Sequence, residues 1–178
     1  MQVLIRLFIE VALHRKGPQD VPASGIVFVL ALTAYLAIGA AVLLPSAAGP
    51  KALLGQLALD VALLLLVFGG LLAGTGRVGR LRQTLTALLG TGALLSAAAL
   101  PFVWLAARAL GDGGPVPGME LPALVSTTML FVLLLASLLV TGHILRNAMD
   151  WSYAAGVLAA VVYFALSVAM FRRYFPVE

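Results

Sequence analysis

One carboxylate interrupts a long apolar segment of this 178-residue chain. Asp60 lies within the run ALLGQLALDVALLLLVFGGLLA, and Gln56 precedes it by one helical turn on the same face. A charged Asp is costly inside a membrane, so we expect Asp60 to face other helices, to be protonated or to accept a hydrogen bond. The candidate donors are Gln56, Tyr35 and the hydroxyl groups of the later apolar segments.

Asp60 leaves two interpretations open. It could handle protons or cations, or anchor a partner through a polar contact; alternatively, it could lock helix packing through an internal hydrogen bond. We favour the internal hydrogen bond, because a proton path across a membrane usually requires several ionisable groups.

The two histidines of the chain, His14 and His143, are the next residues that could carry chemistry. A pair of imidazoles between helices can bind haem iron. His143, in TGHILRN, is more typical of a side chain that caps the last carbonyls of a helix, so haem or quinone contact is the minor alternative. We therefore predict no cofactor and no metal site.

Enzymatic activity is not predicted. The chain lacks cysteine, which excludes disulfides, thiolate metal sites and thiol catalysis. It contains no HExxH and no GxSxG motif. The loop GTGRVGRLRQ, with Arg77, Arg80 and Arg82, has the glycines of a phosphate loop but no following GK[ST]. We interpret it as a basic cytoplasmic turn near lipid headgroups.

Composition places these residues in a membrane protein. The chain is 62% hydrophobic and 10% charged, whereas soluble domains carry about 25% charged residues. Its long apolar runs predict an all-α integral membrane bundle of five transmembrane helices over residues 18–178. The predicted spans are 25–44, 52–73, 84–107, 121–145 and 151–171. Pro101 should kink the third span, and Asp150 is the expected N-cap of the fifth.

Residues 1–17 predict an amphipathic helix that lies at the membrane surface. A polar stripe recurs every four positions, at Gln2, Arg6, Glu10 and His14. A signal peptide would carry its charge before the apolar core, and a span would bury Arg6 and Glu10 at roughly 2.5–3.5 kcal/mol each. Arg15 and Lys16 would lie near anionic headgroups. In the equally weighted alternative, the apolar face packs against the protein's own helices or a partner.

Charge placement predicts the orientation. With the N-terminus inside, seven Lys and Arg residues lie inside and four outside, which the positive-inside rule favours. The pair Arg172–Arg173 opposes this orientation.

The basic residues occupy short loops instead of a soluble face, so nucleic acid is not a predicted partner. Heavy use of Leu, Ala and Gly with little Lys suggests a bacterial gene, and we expect the inner membrane with a cytoplasmic N-terminus.

The layout resembles the bacterial members of the Yip family of membrane proteins. The matching pieces are PQDVPAS, the basic turn GRVGRLRQ, the Gly/Ala-rich span GTGALLSAAALPF and the near-terminal fifth span. The resemblance implies a non-enzymatic membrane scaffold or adaptor and transfers no catalytic residues.

We accordingly expect a protein that binds the lipid bilayer and a protein partner in or at the membrane. Two alternatives remain open. One is an accessory subunit of a larger secretory, pilus-related or respiratory membrane complex. The other is a small transporter or channel that uses Asp60.

Overall fold

Six helices build almost the whole fold in a computed structural model that describes residues 2–111 and 114–175. Their bounds are α1 Gln2–Ala12, α2 Gly25–Leu43, α3 Pro50–Gly74, α4 Leu81–Ala109, α5 Glu120–Met149 and α6 Tyr153–Tyr174. Short 3-10 turns cover Pro18–Asp20 and Val78–Arg80. A two-residue strand, β1 (Leu110–Gly111), pairs antiparallel with β2 (Gly114–Pro115) in the loop between α4 and α5.

Helices α2 to α6 are each long and apolar enough to cross a membrane, with mean hydropathy between 1.8 and 2.6 in their most apolar windows. The prediction of an all-helical fold with five membrane-length helices is therefore confirmed. Helices α3, α4 and α5 extend beyond the predicted spans at both ends, most clearly α5, which has 30 residues. Helix α2 ends one residue earlier than predicted, and α6 begins two residues later. At about 1.5 Å per residue, α5 is longer than the ~30 Å hydrocarbon layer of a bilayer.

Helix α4 is the centre of the bundle, with α2 and α5 packed along its two sides and α6 packed on α5. Residues 84–91 are buried all the way round the helix. Three buried threonines in this segment donate their hydroxyl protons to α4 carbonyls one turn earlier, at 2.7–2.8 Å. Their polar groups are thus satisfied without leaving the helix. Helix α4 also continues through Pro101; the kink there stays a prediction.

Helix α3 packs thinly by comparison. It touches α2, α4 and α6 over short stretches, and its buried side chains are Leu64, Phe68 and Leu72. Because these three residues follow one another every four positions, a single narrow stripe holds α3 to the bundle. Most of the other α3 side chains are half-buried or exposed.

Two glycines bring α5 and α6 into backbone contact. A β-carbon added at Gly142 would lie 2.9 Å from the backbone N and Cα of Val157, and one added at Gly156 would overlap the carbonyl of Gly142. Small residues of this kind allow membrane helices to approach closely.

This crossing yields a stability prediction. Gly142→Ala should lower the free energy of unfolding by about 1–3 kcal/mol, because the new methyl group must push the α6 backbone away. The matched control is Gly70→Ala on α3, where a β-carbon meets open space and the higher helix propensity of Ala should leave stability equal or higher. Thermal unfolding in detergent measures both; equal midpoints for the two variants would contradict the packing.

Candidate functional site

Helix α1 docks against the protein's own helices. Leu7, Phe8 and Val11 are buried and join the core formed with α4 and α5. The ring of Phe8 covers Gly90 of α4 so closely that a β-carbon there would overlap it. The buried apolar face of α1 therefore packs against the protein's own helices, which was one of the two interpretations of residues 1–17.

A second apolar face of α1 points away from the bundle. Ile5, Ile9 and Leu13, spaced by four, are 47%, 43% and 56% exposed. A helix with one face in the core and another apolar face exposed suits the boundary between headgroups and acyl chains. Its position at the membrane surface stays a prediction.

Ion pairs fix the polar side of α1. The Nε atom of Arg6 lies 3.1 Å from Oε1 of Glu10, and Nζ of Lys16 lies 2.8 Å from Oε2 of the same carboxylate. The hydrogen bond from Lys16, and then that from Arg6, hold the pKa of Glu10 below its ordinary value. Arg15 is exposed, and its backbone N–H donates to the carbonyl of Glu10 at 2.9 Å.

His14 ends α1 in a left-handed conformation, with φ of 60°. Its N–H donates to the carbonyl of Val11 at 3.0 Å, and the N–H of Arg15 donates to that of Glu10. This is the Schellman arrangement, in which the left-handed residue is usually glycine. A histidine is strained at this φ, which indicates that the contacts of its imidazole stabilise the arrangement.

The structure brings the two histidines into contact, although the sequence separates them by most of the chain. The ring centroids of His14 and His143 lie 4.5 Å apart in an edge-on arrangement. Nε2 of His14 lies 3.3 Å from the carbonyl of Leu139 in α5, and Nε2 of His143 lies 2.9 Å from the carbonyl of Lys16. We call this reciprocal pair of bonds the histidine clasp.

The histidine clasp ties the end of α1 to α5. A carbonyl accepts, so a ring nitrogen bonded to it donates. Nε2 of His143 also lies 3.2 Å from Nδ2 of Asn147, and Nε2 of His14 lies 3.5 Å from the hydroxyl of Tyr153. In residues 2–111 and 114–175, no group of three or more His, Cys, Asp or Glu side chains is placed to hold a metal. The expectation that His143 caps the carbonyls of its own helix is wrong, because its ring reaches Lys16 instead.

Arginines of the basic turn cap α5. Nη1 of Arg77 and Nη1 of Arg80 lie 2.8 and 3.1 Å from Oδ2 of Asp150, and both donate to the carbonyl of Ala148 at 3.3 and 3.1 Å. Cations at a helix C-terminus complement its partial negative charge. Arg82 is exposed beside them.

The prediction that Asp150 is the N-cap of the last helix is wrong. Asp150 adopts φ of 52° and ends α5. The N-cap of α6 is Ser152, whose hydroxyl oxygen accepts from the N–H of Ala155 at 3.2 Å. The carboxylate of Asp150 instead serves the two arginines, because the left-handed turn directs it toward the basic turn.

Asp60 is held by a tyrosine from a neighbouring helix. The hydroxyl of Tyr35 in α2 donates to Oδ2 of Asp60 at 2.5 Å. Gly92 of α4 makes room for this tyrosine, since a β-carbon there would lie 2.9 Å from its ring. Tyr163 of α6 lines the same junction, with its ring 4.6 Å from that of Phe68. The other expected donor, Gln56, has a buried Oε1 atom without a partner among the described residues.

The Tyr35–Asp60 pair predicts a measurable coupling. Tyr35→Phe and Asp60→Asn should each lower the free energy of unfolding in detergent, and a double-mutant cycle should give a coupling of about 0.6 kcal/mol, up to ~1.7 kcal/mol. Independent effects of the two changes would contradict a structural bond. Loss of a measured ion flux in Asp60→Asn without loss of stability would instead favour the transporter alternative.

The histidine clasp predicts local protection of α1. His14→Ala should raise the hydrogen-exchange rate of α1 amides, because Ala keeps the left-handed strain and loses the bond to Leu139. His14→Gly should raise it less, since glycine adopts this φ without strain. His143→Ala should add little to His14→Ala if the two rings act as one unit. Additive effects, or unchanged exchange in all variants, would contradict the clasp.

No protein-family model, no curated protein and no solved structure matches this chain. Function is therefore inferred from the geometry of the bundle.

Proposed function

We propose that this chain is a multi-pass protein of the bacterial inner membrane, with a cytoplasmic N-terminus, that acts as a non-catalytic scaffold or adaptor. Its partner is another membrane protein, bound through a transmembrane helix. The layout shared with bacterial Yip proteins supports the same assignment.

Exposed apolar surface supports the membrane location. Between 6% and 28% of each candidate span's most apolar window is buried inside the bundle. Large side chains such as Leu66 of α3, Phe131 of α5 and Val162 of α6 are more than half exposed, at 72%, 58% and 60%. Exposed apolar surface of this kind is typical of helices that contact an apolar solvent.

The outer face of α3 carries the partner proposal. Exposed residues repeat every four positions along α3, at Leu54, Ala58, Ala62, Leu66, Gly70 and Gly74. Because four residues exceed one turn of 3.6, this stripe winds around the helix by about 40° per step. A β-carbon at Gly70 or Gly74 would meet open space. Four of the six residues are Ala or Gly, which lets another helix approach the backbone closely. Because α3 touches each of its neighbours over only a short stretch, this face is open to a partner helix.

The polar groups of the bundle support a role without catalysis or transport. Asp60 is bonded to Tyr35, and the histidines are bonded to backbone carbonyls. Each of these contacts joins two helices, so their effect is to fix the packing. A proton path would need further ionisable groups along the membrane.

Site-specific photocrosslinking in living cells tests the adaptor function. A photoreactive residue at Ala62 should crosslink to another membrane protein, and the double change Gly70→Ile with Gly74→Ile should remove most of that product, because β-branched side chains hold the partner helix away. Gly25→Ile, at a helical glycine that also faces open space, is the matched control and should leave the product intact.

Three outcomes would contradict the proposal. They are a crosslink to lipid alone, a crosslink to a second copy of this chain, and a product that the changes at Gly70 and Gly74 do not affect. If the crosslinked protein also co-purifies in stoichiometric amounts from mild detergent, the chain is an accessory subunit of a larger membrane complex.

A further inference from the structure

An open apolar groove of about 480 Å³ lies between α3 and α6. Its walls come from α3 residues Val67, Phe68 and Leu71 and from α6 residues Ala155, Ala159 and Val162. We call this the α3–α6 groove. It exists because α3 touches α6 over only a short stretch, and because the alanines of α6 leave space that larger side chains would fill.

The α3–α6 groove has the dimensions of a lipid tail site. It begins at Trp151 and Ser152, where α5 turns into α6, and extends to Leu166. Fourteen residues of helix cover about 21 Å at ~1.5 Å each. That length exceeds one leaflet's share of the ~30 Å hydrocarbon layer. A volume of this order accommodates a ligand-sized chain and not a further helix.

Positive charge lies beyond the Trp151 end of the groove, on two arginines that are not part of its lining. Trp151 follows Asp150 directly, and the Arg77 and Arg80 side chains that bind Asp150 remain 30% and 47% exposed. Two guanidinium groups against one carboxylate leave a net positive charge at this end. Both groups contact Asp150 and the α5 carbonyls through Nη1, so other N–H donors of each fork remain for a second oxyanion.

We propose that the α3–α6 groove binds an anionic diacyl phospholipid, with one acyl chain against Phe68 and Ala159 and the phosphate at Arg77 and Arg80. The charge at the mouth selects an acidic headgroup over a zwitterionic one. The lipid would fill the gap beside α3 and so hold this thinly packed helix in place. The inference rests on the proposed membrane location and is independent of the protein partner.

Native mass spectrometry of the full chain in mild detergent tests the proposal. Titration with phosphatidylglycerol should give tighter binding than phosphatidylcholine of the same acyl chains, and added salt should weaken only the former. Arg77→Gln with Arg80→Gln should reduce the preference by about fivefold for each arginine. If the unaltered protein bound the two lipids equally at low and high salt, the headgroup site would be overturned. This outcome does not depend on the folding of any variant.

A matched pair of α6 variants tests the acyl-chain site. Ala159→Leu should fill the groove and weaken binding of both lipids, whereas Ala154→Leu, at an exposed position of α6 outside the groove, should not. Equal lipid binding in the two variants, with unchanged helicity, would overturn the groove assignment. If the groove assignment is wrong, crosslinking at Ala62 should still occur. If the proposed adaptor function is wrong, that crosslink should be absent while lipid binding persists.

Discussion

Apolar side chains cover the outside of this bundle as well as its core, and that constraint governs the rest of the structure. With 10% charged residues, the chain cannot surround itself with a water-facing surface. In the proposed membrane location, the surrounding hydrocarbon gives no hydrophobic gain for packing the helices, so close approach and hydrogen bonds must hold them together. The contact of Gly142 with α6 and the fully buried segment of α4 are the consequences.

Polar side chains then serve as cross-links between helices. Tyr35 joins α2 to Asp60 of α3, the histidine clasp joins α1 to α5, and the arginines of the basic turn join the start of α4 to the end of α5 through Asp150. Helix α3 has one such bond and a narrow buried stripe. Both proposed binding surfaces therefore adjoin α3, where the bundle offers unfilled contact area.

Hydropathy was sufficient to locate all five membrane-length helices, because long uncharged runs are a property of each segment alone. Contacts between different helices could not be predicted from hydropathy, because they depend on how the segments pack together. Sequence analysis named His14 and His143 together as imidazoles that could bind haem iron, but their contact depends on the left-handed end of α1. The expected cap at Asp150 failed for a similar reason, since the basic turn that recruits its carboxylate lies about seventy residues earlier. The thin packing of α3 has no sequence signal apart from the glycines at its end.

Labelling of single cysteines in intact cells tests the membrane-spanning account most directly, since the natural chain has no cysteine. Ser46, Gly79 and Val116 lie in the three loops that separate α2, α3, α4 and α5, and all are exposed. An impermeant thiol reagent should modify cysteines at 46 and 116 from outside, and a cysteine at 79 only after the membrane is permeabilised. Reaction at 79 but not at 46 or 116 would reverse the orientation; recovery of the unlabelled chain in the soluble fraction without detergent would contradict membrane insertion itself.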